Sequence, residues 1–215
     1  MKTLIAVPCM DMMHTRFVAS LIGLKMGEDY EVRLGASSLV YETRNSMLRY
    51  ALENGFDRII QFDSDMTFDP YVLTLLQEDL DRGIGIVSGL CFKRKPPYTP
   101  AIFDRCELVK HEGGKLEPVA RCYYDYPEDS IFEIAACGGA CVAMDMHAVK
   151  NIVEAFGMYL YMPVAGFGED LSFCMRAREA GQRVFCDSRI KLGHVGDYVY
   201  DENMYKKEDF INGKH

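Results

Sequence analysis

Apolar and polar positions divide the chain into a regular first half and a less regular second half. Residues 3–8 (TLIAVP) form an unbroken apolar run of strand length, as expected for a strand buried on both faces. Over residues 14–26, Phe17, Leu21 and Leu24 share one helical face, and Gly27 supplies a stop. A short strand is expected at 31–34. Residues 43–54 place Met47, Leu48, Ala51 and Leu52 at helical spacing ahead of Gly55. Residues 58–62 (RIIQF) predict another buried strand. Asp69-Pro70 then caps a helix whose Val72, Leu76 and Leu80 share a face. Residues 84–90 (IGIVSGL) predict a fourth strand. This β-α-β-α-β-α-β order implies an α/β fold with a mostly parallel sheet and helices on both faces.

Beyond Pro96-Pro97 the period changes. Residues 100–110 and 115–121 read as strands flanking Glu112-Gly113-Gly114, a hairpin signal. Residues 131–144 read as further strand, broken at Gly138-Gly139. Asp145 can cap a helix in which Met146, Val149, Val153 and Phe156 share a face, and residues 158–168 form a loop. A helix is expected from about Asp170 to Ala180, and short strands at 183–186 and 189–192 lead to Gly193-His194-Val195-Gly196. The tail from Asp197 is polar and aromatic and reads as a loose helix or lid. At 215 residues the expectation is one domain: a first half over about 1–95, a mixed second half over about 96–196, and a tail over 197–215.

Charge narrows the function classes. Lys plus Arg number 24 against 32 Asp plus Glu, a net of −8, which argues against a nucleic-acid partner. A small phosphorylated ligand stays open, because a metal or two basic side chains can neutralise it. No apolar run approaches the ~18 residues of a membrane span, and no signal peptide is read, so the expectation is a cytoplasmic protein with no transmembrane segment. Cys9, Cys91, Cys141, Cys174 and Cys186 sit in apolar or helical runs, where free Cys behaves as a small hydrophobe. Cys137 and Cys141 have no second pair at zinc spacing.

Five groups of residues can carry chemistry. Asp63-Ser64-Asp65 closes the RIIQF strand, where open α/β sheets bind ligands. Its hard oxygens suit Mg²⁺ or Mn²⁺, although Asp and Ser also favour turns. Glu169-Asp170 opens a helix after Gly166-Phe167-Gly168. Carboxylates there suit the helix dipole and equally suit a general base on a rigid element. His194 lies in a glycine frame, as a hydrogen-bonded residue or as a nitrogen ligand favouring Mn²⁺. Lys93-Arg94-Lys95 follows the fourth strand and can neutralise a diphosphate or be a solvated loop. Arg44-Asn45 can reach a phosphate or ribose or lie on a helix surface.

In this order the residues resemble the GT-A fold glycosyltransferases, most closely the family-2-like enzymes. Val7-Pro8 is similar to the end of their opening strand, and Arg44-Asn45 with Ala51-Leu52 to their R-N…A-L helix. Asp63-Ser64-Asp65 matches their D-x-D, and Gly138-Gly139-Ala140-Cys141 their small-residue segment before the acceptor region. Gly168-Glu169-Asp170-Leu171 with Arg176 and Ala180-Gly181 resembles their G-E-D…R…A-G helix, and His194-Val195-Gly196 their late metal-ligand His. The resemblance spans about residues 3–196.

It implies a GT-A fold, with the first half binding nucleotide and the second carrying the acceptor and the chemistry. It also implies transfer of a sugar from a UDP- or GDP-sugar to a glycan or other hydroxyl acceptor, with Mn²⁺ or Mg²⁺. By resemblance, Asp65, Asp63 and His194 hold the metal. Pro8, Arg44, Asp63, Ser64, Lys93, Gly138 and Gly139 face the nucleotide sugar. Asp170 is the base of an inverting reaction and Glu169 holds the acceptor. The chain lacks the longer members' acceptor extension and has no Trp. Tyr123, Tyr124, Tyr126 and Tyr159 are the available substitutes for stacking on a sugar.

Two rival readings use the same residues. In a haloacid-dehalogenase-like phosphatase, Asp63 of Asp63-Ser64-Asp65-Met66-Thr67 is the nucleophile, Asp65 the acid/base, and Ser88 imitates the second motif. That nucleophile strand usually opens the domain, whereas two β-α units precede it here. The other rival is a non-catalytic nucleotide-sugar binder or a nucleotidyltransferase of similar architecture.

Overall fold

A computed structural model describes residues 1–10, 12–27, 29–196 and 198–211, the side chains of 208–211 excepted. Its first strand explains the opening apolar run. β1 (Thr3–Cys9) pairs in parallel with β2 (Tyr30–Ala36) on one side and β3 (Arg58–Phe62) on the other. Leu4 and Ala6 enter one apolar core and Ile5 and Val7 a second, so neither face of the strand is left to polar residues. α1 (Thr15–Gly23) and α3 (Val72–Asp81) cover the second core with Phe17, Val72, Leu76 and Leu80. α2 (Val40–Glu53), α4 (Met146–Phe156) and α5 (Glu169–Glu179) cover the first with Met47, Leu48, Val149, Ile152 and Phe173. Each such side chain withdrawn from water contributes about 1.5–3 kcal/mol.

Seven strands make the central sheet, in the order β2-β1-β3-β10-β5-β11-β8. The new members are β5 (Ile86–Leu90), β8 (Ile131–Ile134), β10 (Cys141–Asp145) and β11 (Val184–Lys191). β10 runs antiparallel to both β3 and β5, and β8 antiparallel to β11; the other strands run in one direction. The sheet is therefore large and mostly parallel. β10, from the second half of the chain, lies between β3 and β5. Cys141 and Ala143 face one core and Val142 and Met144 the other, so β10 is itself a two-sided buried strand.

Two smaller sheets complete the molecule. β4 (Met66–Thr67), β12 (Gly193–Val195) and β13 (Val199–Tyr200) form one. The hairpin β6 (Ile102–Lys110) and β7 (Leu116–Cys122) joins β9 (Ala136–Cys137) in the other.

Local boundaries differ from expectation in instructive places. α1 ends at Gly23 rather than near Gly27; Leu24 is extended, and Lys25 N–H donates to the Pro70 carbonyl instead of continuing the helix. Asp69 does not cap α3 directly. Its Oδ1 accepts from Tyr71 N–H at 2.8 Å, forming a turn one step earlier. Asp145 does cap α4, accepting from His147 N–H at 2.7 Å. The stretches 183–186 and 189–192 form one strand, β11, with a register break between Asp187 and Lys191. In the tail, α6 (Glu202–Ile211) packs Tyr205 on Phe92 with ring centroids 5.4 Å apart; Asp197 and 212–215 of that predicted tail lie outside the described residues. None of the eight cysteines is in a disulfide. Among the described residues no helix is long and apolar enough to cross a membrane.

Candidate active site

The carboxyl ends of β1, β2 and β3 open onto a cavity of about 440 Å³, walled by Pro8, Ser37, Ser38 and the segment Asp63–Asp65. This is the edge of an open α/β sheet where ligands bind, and the volume suits a small-molecule ligand. The turn after β3 is held at both ends. Asp63 N–H donates to the Ala140 carbonyl at 3.0 Å, and His14 N–H to the Ser64 carbonyl at 3.3 Å.

His194 reaches the cavity through strand pairing. β4 lies two residues beyond Asp63-Ser64 and pairs antiparallel with β12, so that His194 sits opposite Met66. Val195 N–H donates to the Asp65 carbonyl at 2.7 Å. Gly193 is required, because a Cβ there would collide with Thr67 and Val199. His194 Nδ1 lies 2.9 Å from the Phe92 carbonyl, which can only accept, so Nδ1 carries the proton and donates. Nε2 then faces Asp65 Oδ2, 3.3 Å away, a position where a proton or a cation can be shared between them. A histidine anchored through its other nitrogen is the usual arrangement of a metal ligand.

Asp65 also meets Arg94 Nη1 at 3.0 Å, and Arg94 donates to the Val195 carbonyl at 3.2 Å. Burial pushes the Asp65 carboxyl up, but the hydrogen bond and charge of His194, with Arg94, hold it below the usual range.

Beneath the cavity lies Arg44, a buried arginine on α2. Its Nη2 donates to Asp63 Oδ1 at 2.6 Å, its Nη1 to Gln61 Oε1 at 3.2 Å and to the Gly139 carbonyl at 3.4 Å. Its Nε stands 3.5 Å from Asp170 Oδ1. Burial works against its charge, yet Asp63 and Asp170 overcome this and shift its ionisation firmly upward. Asp63 pays the converse penalty: burial, with Asp170 and Asp65 nearby, pushes its carboxyl up to about 6 despite Arg44.

Thus Pro8, Arg44, Asp63, Ser64, Asp65, Glu169 and His194 of the expected residues line one cavity. Asp170 lies beside its floor, facing Arg44. Of the expected metal set, Asp65 and His194 stand side by side and Asp63 lies on the same wall, while among the described residues no three His, Cys, Asp or Glu side chains are already gathered around one point. Asp65 and His194 are adjacent, but Oδ1 of Asp63 is taken by Arg44. Arg44 itself is enclosed by protein acceptors rather than presented at a helix end.

Lys93 lies outside the cavity wall: its Nζ is 3.5 Å from Cys122 Sγ and 5.6 Å from the Phe103 ring centroid. Its neighbour Arg94 takes the cavity side, beside Asp65. Gly138 is also outside the wall, donating its N–H to the Ala101 carbonyl at 2.8 Å. Gly139 is crowded against Arg44 and Asp170, with no space for a side chain.

Tyr126 is buried and its hydroxyl bonds Glu202 at 3.3 Å, so it is no sugar platform. Ser88, the second-motif residue of the phosphatase reading, is sealed inside β5. Gln61 and Tyr161 were not expected at all. Tyr161 donates its hydroxyl to Gln61 Oε1 at 2.9 Å and stacks on Phe173 with centroids 4.6 Å apart.

No family model and no curated protein sequence matches the chain. Solved structures do. Protein A197 from STIV superposes with a TM-score of 0.64 at 17% identity, over 92% of this chain and 87% of that one. TarS of S. aureus, residues 1–349, gives 0.52 at 15% identity, over 87% of this chain but only 58% of TarS. At such identities the likeness concerns the fold: an α/β architecture compatible with a Rossmann-like glycosyltransferase fold.

Proposed function

We propose that the chain is a GT-A-type glycosyltransferase, moving a sugar from a UDP- or GDP-sugar to a hydroxyl of a glycan or other acceptor. The observation that carries this reading is the convergence of Asp63, Asp65, Glu169 and His194 on one cavity at the strand ends. The structural likeness to TarS, a glycosyltransferase, supports it at the level of fold.

Asp65 and His194 fit a divalent cation, Mn²⁺ or Mg²⁺, as two of its ligands, one oxygen and one anchored nitrogen. When bound, it supplies positive charge to the departing nucleoside diphosphate. Arg94, half-exposed beside Asp65, adds a second positive group for those phosphates. The acceptor oxygen attacks the anomeric carbon, and the bond from that carbon to the diphosphate oxygen breaks with its electron pair on the phosphate. Asp170 takes the hydroxyl proton from the face opposite the leaving group, giving inversion, and Glu169 holds the acceptor. Glu169 lines the cavity and Asp170 does not, which favours a second assignment with Glu169 as base.

The test is incubation with UDP- and GDP-sugars and Mn²⁺. Release of UDP or GDP, lost in Asp65→Ala, is expected. No nucleotide release, with hydrolysis of para-nitrophenyl phosphate that disappears in Asp63→Asn, would instead select the phosphatase.

A further inference from the structure

We propose that Arg44 is a positioning residue: it sets the carboxylate of Asp63 in the cavity wall and that of Asp170 beside it, and makes no contact with the donor. This rests on the glycosyltransferase reading above. Each guanidinium nitrogen is aimed at a protein oxygen: Nη2 at Asp63, Nη1 at Gln61 and Gly139, Nε at Asp170. Among the described residues, neither Arg44 Nε nor Asp170 Oδ1 has a hydrogen-bond partner within normal reach; at 3.5 Å they face each other.

The acceptors are themselves fixed. Gln61 Oε1 also receives the Tyr161 hydroxyl, and Tyr161 N–H donates to Asn45 Oδ1 at 2.9 Å, next to Arg44 on α2. Tyr161 stacks on Phe173 of α5, the helix that carries Asp170. The network thus ties α2, β3 and the start of α5 into one unit around the guanidinium. Gly139 closes it, since any Cβ there would strike both Arg44 and Asp170. Only a planar fork can serve acceptors in these directions at once; a lysine ammonium keeps the charge and loses the geometry.

Arg44→Lys tests this, with Gly139→Ala as a second variant that disturbs the same contact while keeping the arginine. For a donor that the wild type turns over, kcat should fall about 100-fold or more. Affinity for UDP and GDP with Mn²⁺ should stay within about threefold, since a donor-binding role alone predicts a larger change. A crystal structure of the Lys variant should show the Asp63 and Asp170 carboxylates displaced by about 1 Å or more, the scale at which geometry costs turnover. A defect confined to KM and nucleotide affinity, with kcat kept, overturns the proposal, because Arg44 would then be touching donor. Carboxylates that stay in place in the Lys variant overturn it too. If the wild type releases nucleotide from no UDP- or GDP-sugar, the glycosyltransferase reading fails by itself. The displacement of the two carboxylates still decides whether Arg44 positions them.

Discussion

Arg44 between Asp63 and Asp170, and Arg189 between Asp79 and Asp187, use one chemistry in opposite settings. In the first, the arginine side chain is 2% exposed while the two carboxylates keep 30% and 23% of their surface. In the second, the carboxylates are at 0% and the arginine keeps 28%. Arg189 grips Asp187 through Nε at 2.9 Å and Nη2 at 2.7 Å, and reaches Asp79 Oδ1 at 3.0 Å. It ties α3 to β11 with the acids sealed away from any ligand. The difference teaches that a buried ion network is not in itself a site. What matters is whether the network opens on a cavity, and around Arg44 it does, through Asp63.

The comparison can be broken first where the largest effects are expected. Asp170→Asn should lower turnover by roughly 10²–10⁴-fold while leaving nucleotide affinity intact, the usual range for loss of a general base. Glu169→Gln measured beside it separates the two base assignments; normal turnover in the Asn variant gives the role to Glu169. Asp65→Ala should weaken Mn²⁺-dependent nucleotide binding by about 100-fold or more, read by calorimetry with and without chelator.

The Arg189 network should respond in stability instead. Burial, with Asp187 adjacent, raises Asp79 from 3.8 to about 7. A folded-state value above the unfolded one means that stability is fully present below pH 3.8 and is lost as pH rises through about 7. Asp79→Asn removes that loss. It should be more stable than wild type at pH 8 by on the order of 1–3 kcal/mol, or roughly 2–10 °C in melting temperature, and show no such gain at pH 4. A variant equally destabilised at both pH values would show that Asp79 works as a charged anchor.

The smallest effects concern the basic rim. Arg94→Ala should weaken nucleotide binding about tenfold, as expected for one charge-assisted contact, whereas Lys93→Ala should change it less than about twofold. Equal effects would mean that the two side chains share the diphosphate.

Some of the site was legible because its signals are local. Asp63 and Asp65 follow a buried apolar strand, and Glu169 and Asp170 open a helix after a glycine loop. Elements that end there must bring those acids to the same edge of the sheet. Arg44 was legible as a helix residue but not as a buried one, because one arginine in a helical pattern reads as surface. Lys93 and Arg94 share one charge run, and only the side each faces separates them. His194 had its glycine frame, but no pattern announces a two-residue strand such as β4 as its partner.

The sequence by itself determined the kinds of element, their order along the chain, and the acids at their ends, because apolar periodicity and end signals act over a few residues. The tertiary structure decided that β10 enters between β3 and β5, that His194 meets Asp65 across 129 residues, and that Arg44 contacts Gly139 across 95. Those contacts depend on strand pairing and packing between distant segments. Their free energy is realised only when the whole sheet closes, so no local window of the chain contains it.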